Sequence, residues 1–136
     1  MTESQPFFLY IEDDPLSREV LEMILTRIMK YSRIDYFDNS ENYPEKFHGL
    51  SQVPDVVFLD IQIRPHDGYE ILKWLRDEPG FQSTKVIALT ASVMVQDVAR
   101  LQEAGFDGLI GKPLAHKVFP RLLEQILGGE AIWYIP

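Results

Sequence analysis

The chain has 136 residues, 46% of them hydrophobic, no cysteine, and a formal net charge of −8 from 13 Lys and Arg against 21 Asp and Glu. This length suits one domain with a core of its own, and the lack of cysteine excludes disulfides and thiolate metal sites, as suits a reducing compartment. The acidic balance argues against direct nucleic-acid binding, while the polar start "MTESQP" and the lack of any bilayer-length apolar run argue against secretion and membrane insertion, so a cytoplasmic location is expected.

In chain order, residues 1–6 are expected to be disordered, and "FFLYI" at 7–11 reads as a strand. Val20, Leu21, Ile24, Leu25 and Ile28 then repeat at the spacing of one helix face. "RIDYF" at 33–37 is a second strand, and "SENYPEKFHGL", with Pro44 and Gly49, follows as a short or irregular helix. The strand "VVFL" at 56–59 precedes a helix that Asp67 can cap, with Glu70 placed for a capping box and Ile71, Leu72 and Leu75 inward. "VIAL" at 86–89 leads to a helix bearing Val95, Val98 and Leu101 and ended by Gly105, and "GLI" at 108–110 leads to one bearing Val118, Phe119, Leu122, Leu123 and Ile126. Strands apolar on both faces, alternating with helices, predict an α/β domain over residues 7–127: a doubly wound, five-stranded parallel sheet.

Ligands of such sheets bind beyond the carboxyl ends of the strands. Here the first strand ends in Glu12 and Asp13, the third in Asp60, the fourth in Thr90 and the fifth in Lys112. An Asp after a strand often serves only its own loop, but five functional groups at one edge demand more. Three neighbouring carboxylates repel by roughly 4 kcal/mol per pair at an effective dielectric near 20, so the edge favours a cation, and all-oxygen ligands favour a hard one. Mg²⁺ fits, and it commonly completes its shell with phosphate. Asp60 is then the natural nucleophile towards phosphorus, with the metal and Lys112 neutralising charge and Thr90 offering a hydroxyl.

These residues also carry a resemblance. "LYIEDDP", "FLDIQ…DGYEIL", "ALTA" and "GKPL", in that order and spacing, resemble the four signatures of the response-regulator receiver domain over about residues 7–127. The resemblance implies a (βα)5 flavodoxin-like fold and Asp60 as phosphoacceptor from a sensor histidine kinase or phosphotransfer protein. It further implies Mg²⁺ held by Glu12, Asp13, Asp60 and the Gln62 backbone carbonyl, phosphate contacts from Thr90 and Lys112, and a cis Lys112–Pro113 bond. The chain would thus be a signalling switch rather than an enzyme, changing its contacts with a downstream protein target. A haloacid-dehalogenase-like phosphatase would want a second Asp where Gln62 stands, and a never-phosphorylated interaction module would not need the intact acids, Thr90 and Lys112.

Two features depart from the family. Its usual proline four residues after the Asp is Arg64 here, with Pro65 following, and its frequent aromatic residue three before the lysine is Leu109. Gln62 and Ser92 stand where members vary in side chains that tune phosphoryl lifetime. Asp14, before Pro15, reads as a helix cap rather than a ligand, and His48, His66 and His116 show no metal-site spacing. The tail 128–136, "GGEAIWYIP", is too apolar to trail in solvent, and is expected to dock on the last helix or on a second subunit in a homodimer, unless it begins a linker. With only nine residues after the last helix, a stand-alone receiver is expected.

Overall fold

The computed structural model describes residues 5–91 and 93–136. Six parallel strands form one sheet: β1 (Phe8–Ile11), β2 (Ile34–Phe37), β3 (Val56–Leu59), β4 (Lys85–Thr90), β5 (Gly108–Gly111) and β6 (Ile132–Tyr134), in the order β2-β1-β3-β4-β5-β6. The helices are α1 (Pro15–Met23), α2 (Tyr43–His48), α3 (Gly68–Asp77), α4 (Val95–Ala104) and α5 (Phe119–Leu127). The expected doubly wound fold is present, with one correction: the sheet has six strands, not five.

Each strand's alternation feeds two cores. Leu9, Ile11, Val57, Leu59, Val86, Ala88 and Leu109 pack under α2, α3 and α4 with Phe47, Leu72 and Leu101. Phe8, Tyr10, Val56, Phe58, Ile87, Leu89 and Ile110 pack under α1 and α5 with Leu21, Leu25, Phe119 and Leu123. The order reverses between β1 and β3, which puts the crevice of the sheet between the ends of those two strands.

Helix α1 starts where Asp14 accepts from the amides of Leu16 and Ser17, ahead of Pro15. It runs on into a π-helical segment, Ile24–Ile28, in which the Met29 amide donates to the Ile24 carbonyl. Leu21, Ile24 and Leu25 are buried, but Val20 and Ile28, expected on the same face, are 40% and 42% exposed, because they lie at the margins of the stripe. Val95, expected inward, is 80% exposed at the first turn of α4, which packs through Leu101. Asp67 caps α3 by accepting from the Glu70 amide.

The tail pairs with the sheet rather than with the last helix alone. Gly129, at φ 99°, turns the chain, and β6 runs parallel to β5 with Leu109 opposite Trp133 and Ile110 opposite Tyr134. Two glycines make room for it. A Cβ on Gly108 would lie 2.7 Å from the Ile132 carbonyl oxygen, and one on Gly111 would lie 2.7 Å from Pro136 Cδ.

Candidate phosphoryl-transfer site

The expected acids converge at the carboxyl edge of the sheet. Glu12 and Asp13 follow β1, Asp60 follows β3, and each contributes a carboxylate oxygen to a group lying within 4.8 Å of one another. Their solvent contact differs: Glu12 is 1% exposed, Asp60 is half-buried and Asp13 is exposed. Such a set of hard oxygen donors, open on one side, fits Mg²⁺.

Glu12 is the most heavily engaged. Its Oε1 accepts from the Lys112 ammonium and, at 3.0 Å, from the Tyr10 hydroxyl, and its Oε2 accepts from the Asp14 amide at 3.3 Å. Arg18 Nη1 donates to the Glu12 carbonyl oxygen at 2.6 Å, tying the first turn of α1 to the strand end. Burial opposes ionisation of Glu12, but the hydrogen bond and charge of Lys112 outweigh it and hold the carboxyl below its ordinary range. Tyr10 moves the other way: burial first, and then the Glu12 carboxylate, keep its phenol protonated well above the ordinary tyrosine range.

Asp60 has fewer partners. The Gln62 amide donates to its Oδ1 at 3.2 Å, and the Ile63 amide donates to its backbone carbonyl at 3.3 Å. Desolvation and then the Glu12 charge push its carboxyl up to about 6 from the ordinary 3.8, against the pull of the Gln62 amide and Lys112. The backbone there is crowded: a Cβ on Gly68 would come within 2.9 Å of Ile61 Cα and 3.3 Å of the Asp60 carbonyl oxygen. Thr90 is 4% exposed at the end of β4, in register with Gly111. It borders a small polar cavity of about 160 Å³, shared with Gln62, Tyr69 and Arg100.

The sequence alone does not reveal Tyr10 and Arg18 as part of this arrangement. Tyr10 passes for one more apolar strand residue, although its place two before Glu12 puts both on the same side of β1. Asp14 caps α1 as expected, and the Lys112–Pro113 bond is cis. The Arg64–Pro65 bond is cis as well. His48 pairs with Glu78 at 2.8 Å and His66 with Glu70 at 2.7 Å, both away from the acids. Ser92 lies outside the described residues.

A profile of the response regulator receiver domain matches residues 8–124. The chain belongs to the response-regulator receiver family. The receiver is 37% identical over 73 residues to the polar-differentiation response regulator DivK of Brucella ovis, a match that covers 54% of this chain and 57% of that one. It thus spans little more than half the length of the curated relatives it matches. Among solved structures, the signal receiver domain of a DNA-binding response regulator from Colwellia psychrerythraea aligns with a TM-score of 0.76 and 27% identity over 89% of this chain and 97% of that one. The signal receiver domain of a histidine kinase from Syntrophus aciditrophicus gives 0.75 and 28%, covering 91% of each chain. Among the described residues, no helix of the receiver is long and apolar enough to cross a membrane.

Proposed function

We propose that this receiver accepts a phosphoryl group on Asp60 from a phosphohistidine of a sensor kinase or phosphotransfer protein, in the cytoplasm, and thereby changes which protein surfaces it presents. The observation that carries this reading is the gathering of Glu12, Asp13 and Asp60 within 4.8 Å, with Lys112 reaching in from β5. Asp13, Asp60 and the Gln62 carbonyl would hold Mg²⁺. Glu12, already accepting from Tyr10, Lys112 and Asp14, adds negative charge. Bound there, the ion supplies positive charge to phosphoryl oxygens and lowers the repulsion among the acids.

The chain's own groups do the rest. An Asp60 carboxylate oxygen attacks phosphorus, the new O–P bond forms as the P–N bond to imidazole breaks, and the electron pair leaves with the imidazole nitrogen. Lys112 exchanges its Glu12 partner for a phosphoryl oxygen, and the Thr90 hydroxyl donates to another. The donor has a path in. A groove of about 400 Å³ lined by Tyr10, Leu16, Val20, Lys112, Pro113 and Leu114 opens beside the site, with Leu16 68% exposed at its rim. An apolar helix face carrying an imidazole fits it. The receiver acts in this scheme as a phosphoacceptor that assists its own loading, not as an enzyme turning over free substrates.

Incubation with Mg²⁺ and acetyl phosphate, followed by intact-mass measurement, tests the reading. The wild type is expected to gain one phosphoryl mass, and Asp60→Asn to gain none. Equal labelling of both would remove Asp60 from the role, and no labelling of the wild type would favour an interaction module that is never phosphorylated.

A further inference from the structure

The loop that follows Asp60 is held from outside by a residue of a different loop. Ser40 lies between β2 and α2 and is 0% exposed. Its amide donates to the Arg64 carbonyl oxygen at 2.9 Å, and its Oγ accepts from the His66 amide at 2.6 Å. Both sides of Pro65 are therefore gripped by one serine. We propose that Ser40 is a positioning residue of the phosphoacceptor site, clamping residues 64–66 so that the loop presents the Gln62 carbonyl and the Asp60 carboxylate in one fixed relation.

The loop's other backbone bonds leave this stretch to Ser40. At the near end, the Gln62 amide bonds Asp60 Oδ1 and Ile63, 1% exposed, is sunk into the core. At the far end, the Gly68 amide donates to the Ile61 carbonyl oxygen at 2.9 Å. Between them, Arg64 and Pro65 are exposed and lie in neither a helix nor a strand. The Tyr43 hydroxyl reinforces the same seam by donating to Glu70 at 3.2 Å, the carboxylate that His66 also meets. Removing the Ser40 hydroxyl would leave a half-buried amide without its acceptor, and the loop would relax to hydrate it. Removing a group hydrogen-bonded directly behind a metal ligand commonly changes metal affinity by about tenfold or more, and Ser40 acts on the ligand loop in the same sense through Arg64 and His66.

This inference rests on the reading of Asp60 and Gln62 as metal-binding groups, and the test separates the two. Mg²⁺ binding is measured by calorimetry without phosphodonor, exchange of the amide hydrogens of Gln62, Ile63, Arg64 and His66 is followed in EDTA, and acetyl phosphate labelling is followed against Mg²⁺ concentration. For Ser40→Ala, the expected result is a Mg²⁺ dissociation constant raised about tenfold. Exchange at those four amides should be faster before any metal is added, and the labelling rate should return towards the wild-type plateau at high Mg²⁺. His66→Ala, which keeps the backbone amide on Ser40 and removes only the ring's pairing with Glu70, is expected to raise the Mg²⁺ constant by less than Ser40→Ala does. A simple loss of stability would not produce that split between midpoint and plateau. If Ser40→Ala does not fold, Ser40→Cys, with a weak acceptor in nearly the same volume, is held to the same expectations. A wild type that binds no Mg²⁺ overturns the underlying reading. A wild type that binds it, with a serine variant of equal affinity and equal loop exchange, overturns the clamp alone.

Discussion

Replacing Asp60 by Asn should make the metal-free protein more stable, although it abolishes the proposed chemistry. Asn keeps the shape and the oxygen that accepts from the Gln62 amide at 3.2 Å, but removes one charge from a cluster of three acids. Desolvation and the Glu12 charge push the Asp60 carboxyl from 3.8 up to about 6 in the folded protein. A group raised in this way contributes stability that is complete below its unfolded value and lost as pH rises through the folded one. That gap corresponds to about 3 kcal/mol against the wild type at neutral pH, and allowing for solvent reaching the open side of the site leaves about 1–2 kcal/mol. Urea unfolding in EDTA at several pH values measures it. At pH 7.5 the variant should be the more stable by that amount, with a melting temperature higher by about 3–8 °C, and the advantage should shrink towards zero as pH falls to about 4. Saturating Mg²⁺ should narrow the gap from the other side, since the wild type gains more from the ion. An Asp60→Asn variant no more stable than wild type at pH 7.5, or a gain that does not fade in acid, would refute the account of charge crowding.

Lys112→Ala should destabilise the protein by roughly 3 kcal/mol at neutral pH, because it leaves the Glu12 carboxylate, 1% exposed, without its cation. Glu12 is depressed in the folded state, so this loss should diminish as pH falls through the carboxylate range, and urea titrations at pH 7.5 and pH 4.5 check it. Asp13→Asn should weaken Mg²⁺ binding in calorimetry, and an unchanged affinity would remove Asp13 from the ligand set. Truncation after Gly129 should lower stability by about 2 kcal/mol, the balance of partly burying Ile132, Trp133 and Tyr134 against ordering the strand. Gly108→Ala should reproduce part of that loss and red-shift Trp133 emission in a Trp74→Phe background, because the new Cβ meets the Ile132 carbonyl.

The parts of this molecule legible in its sequence are those encoded locally. Four apolar runs announce β1, β3, β4 and β5 because both faces of a parallel sheet are buried, while the half-exposed edge strand β2 carries Asp35 and signals more weakly. Glu12, Asp13, Asp60, Thr90 and Lys112 stand out because they cluster where those four runs stop. Asp14 and Asp67 were readable as caps from their neighbours alone. What stayed hidden depends on distance along the chain. Ser40 looks like any loop serine until the fold brings it to Arg64 and His66, and Tyr10 looks like core until its hydroxyl is seen to donate to Glu12. The sixth strand escaped because three residues carry too little periodicity to separate a strand from any other apolar tail, and the glycines of β5 that receive it read only as weak points in a strand. The exposed Val20 and Val95 show the converse: helical spacing names a face, but neighbouring elements decide how much of it is covered.

Because β6 runs in the same direction as β5, it delivers the last residues to the edge of the sheet that carries the acids. Pro136 lies against Gly111, next to Lys112, while the first strand sets out from the opposite edge. This polarity matters to anyone attaching something to the protein. A fluorophore coupled at position 136 would sit beside Lys112 and the acids, where the proposed phosphohistidine donor would approach, and would report on, or obstruct, that encounter.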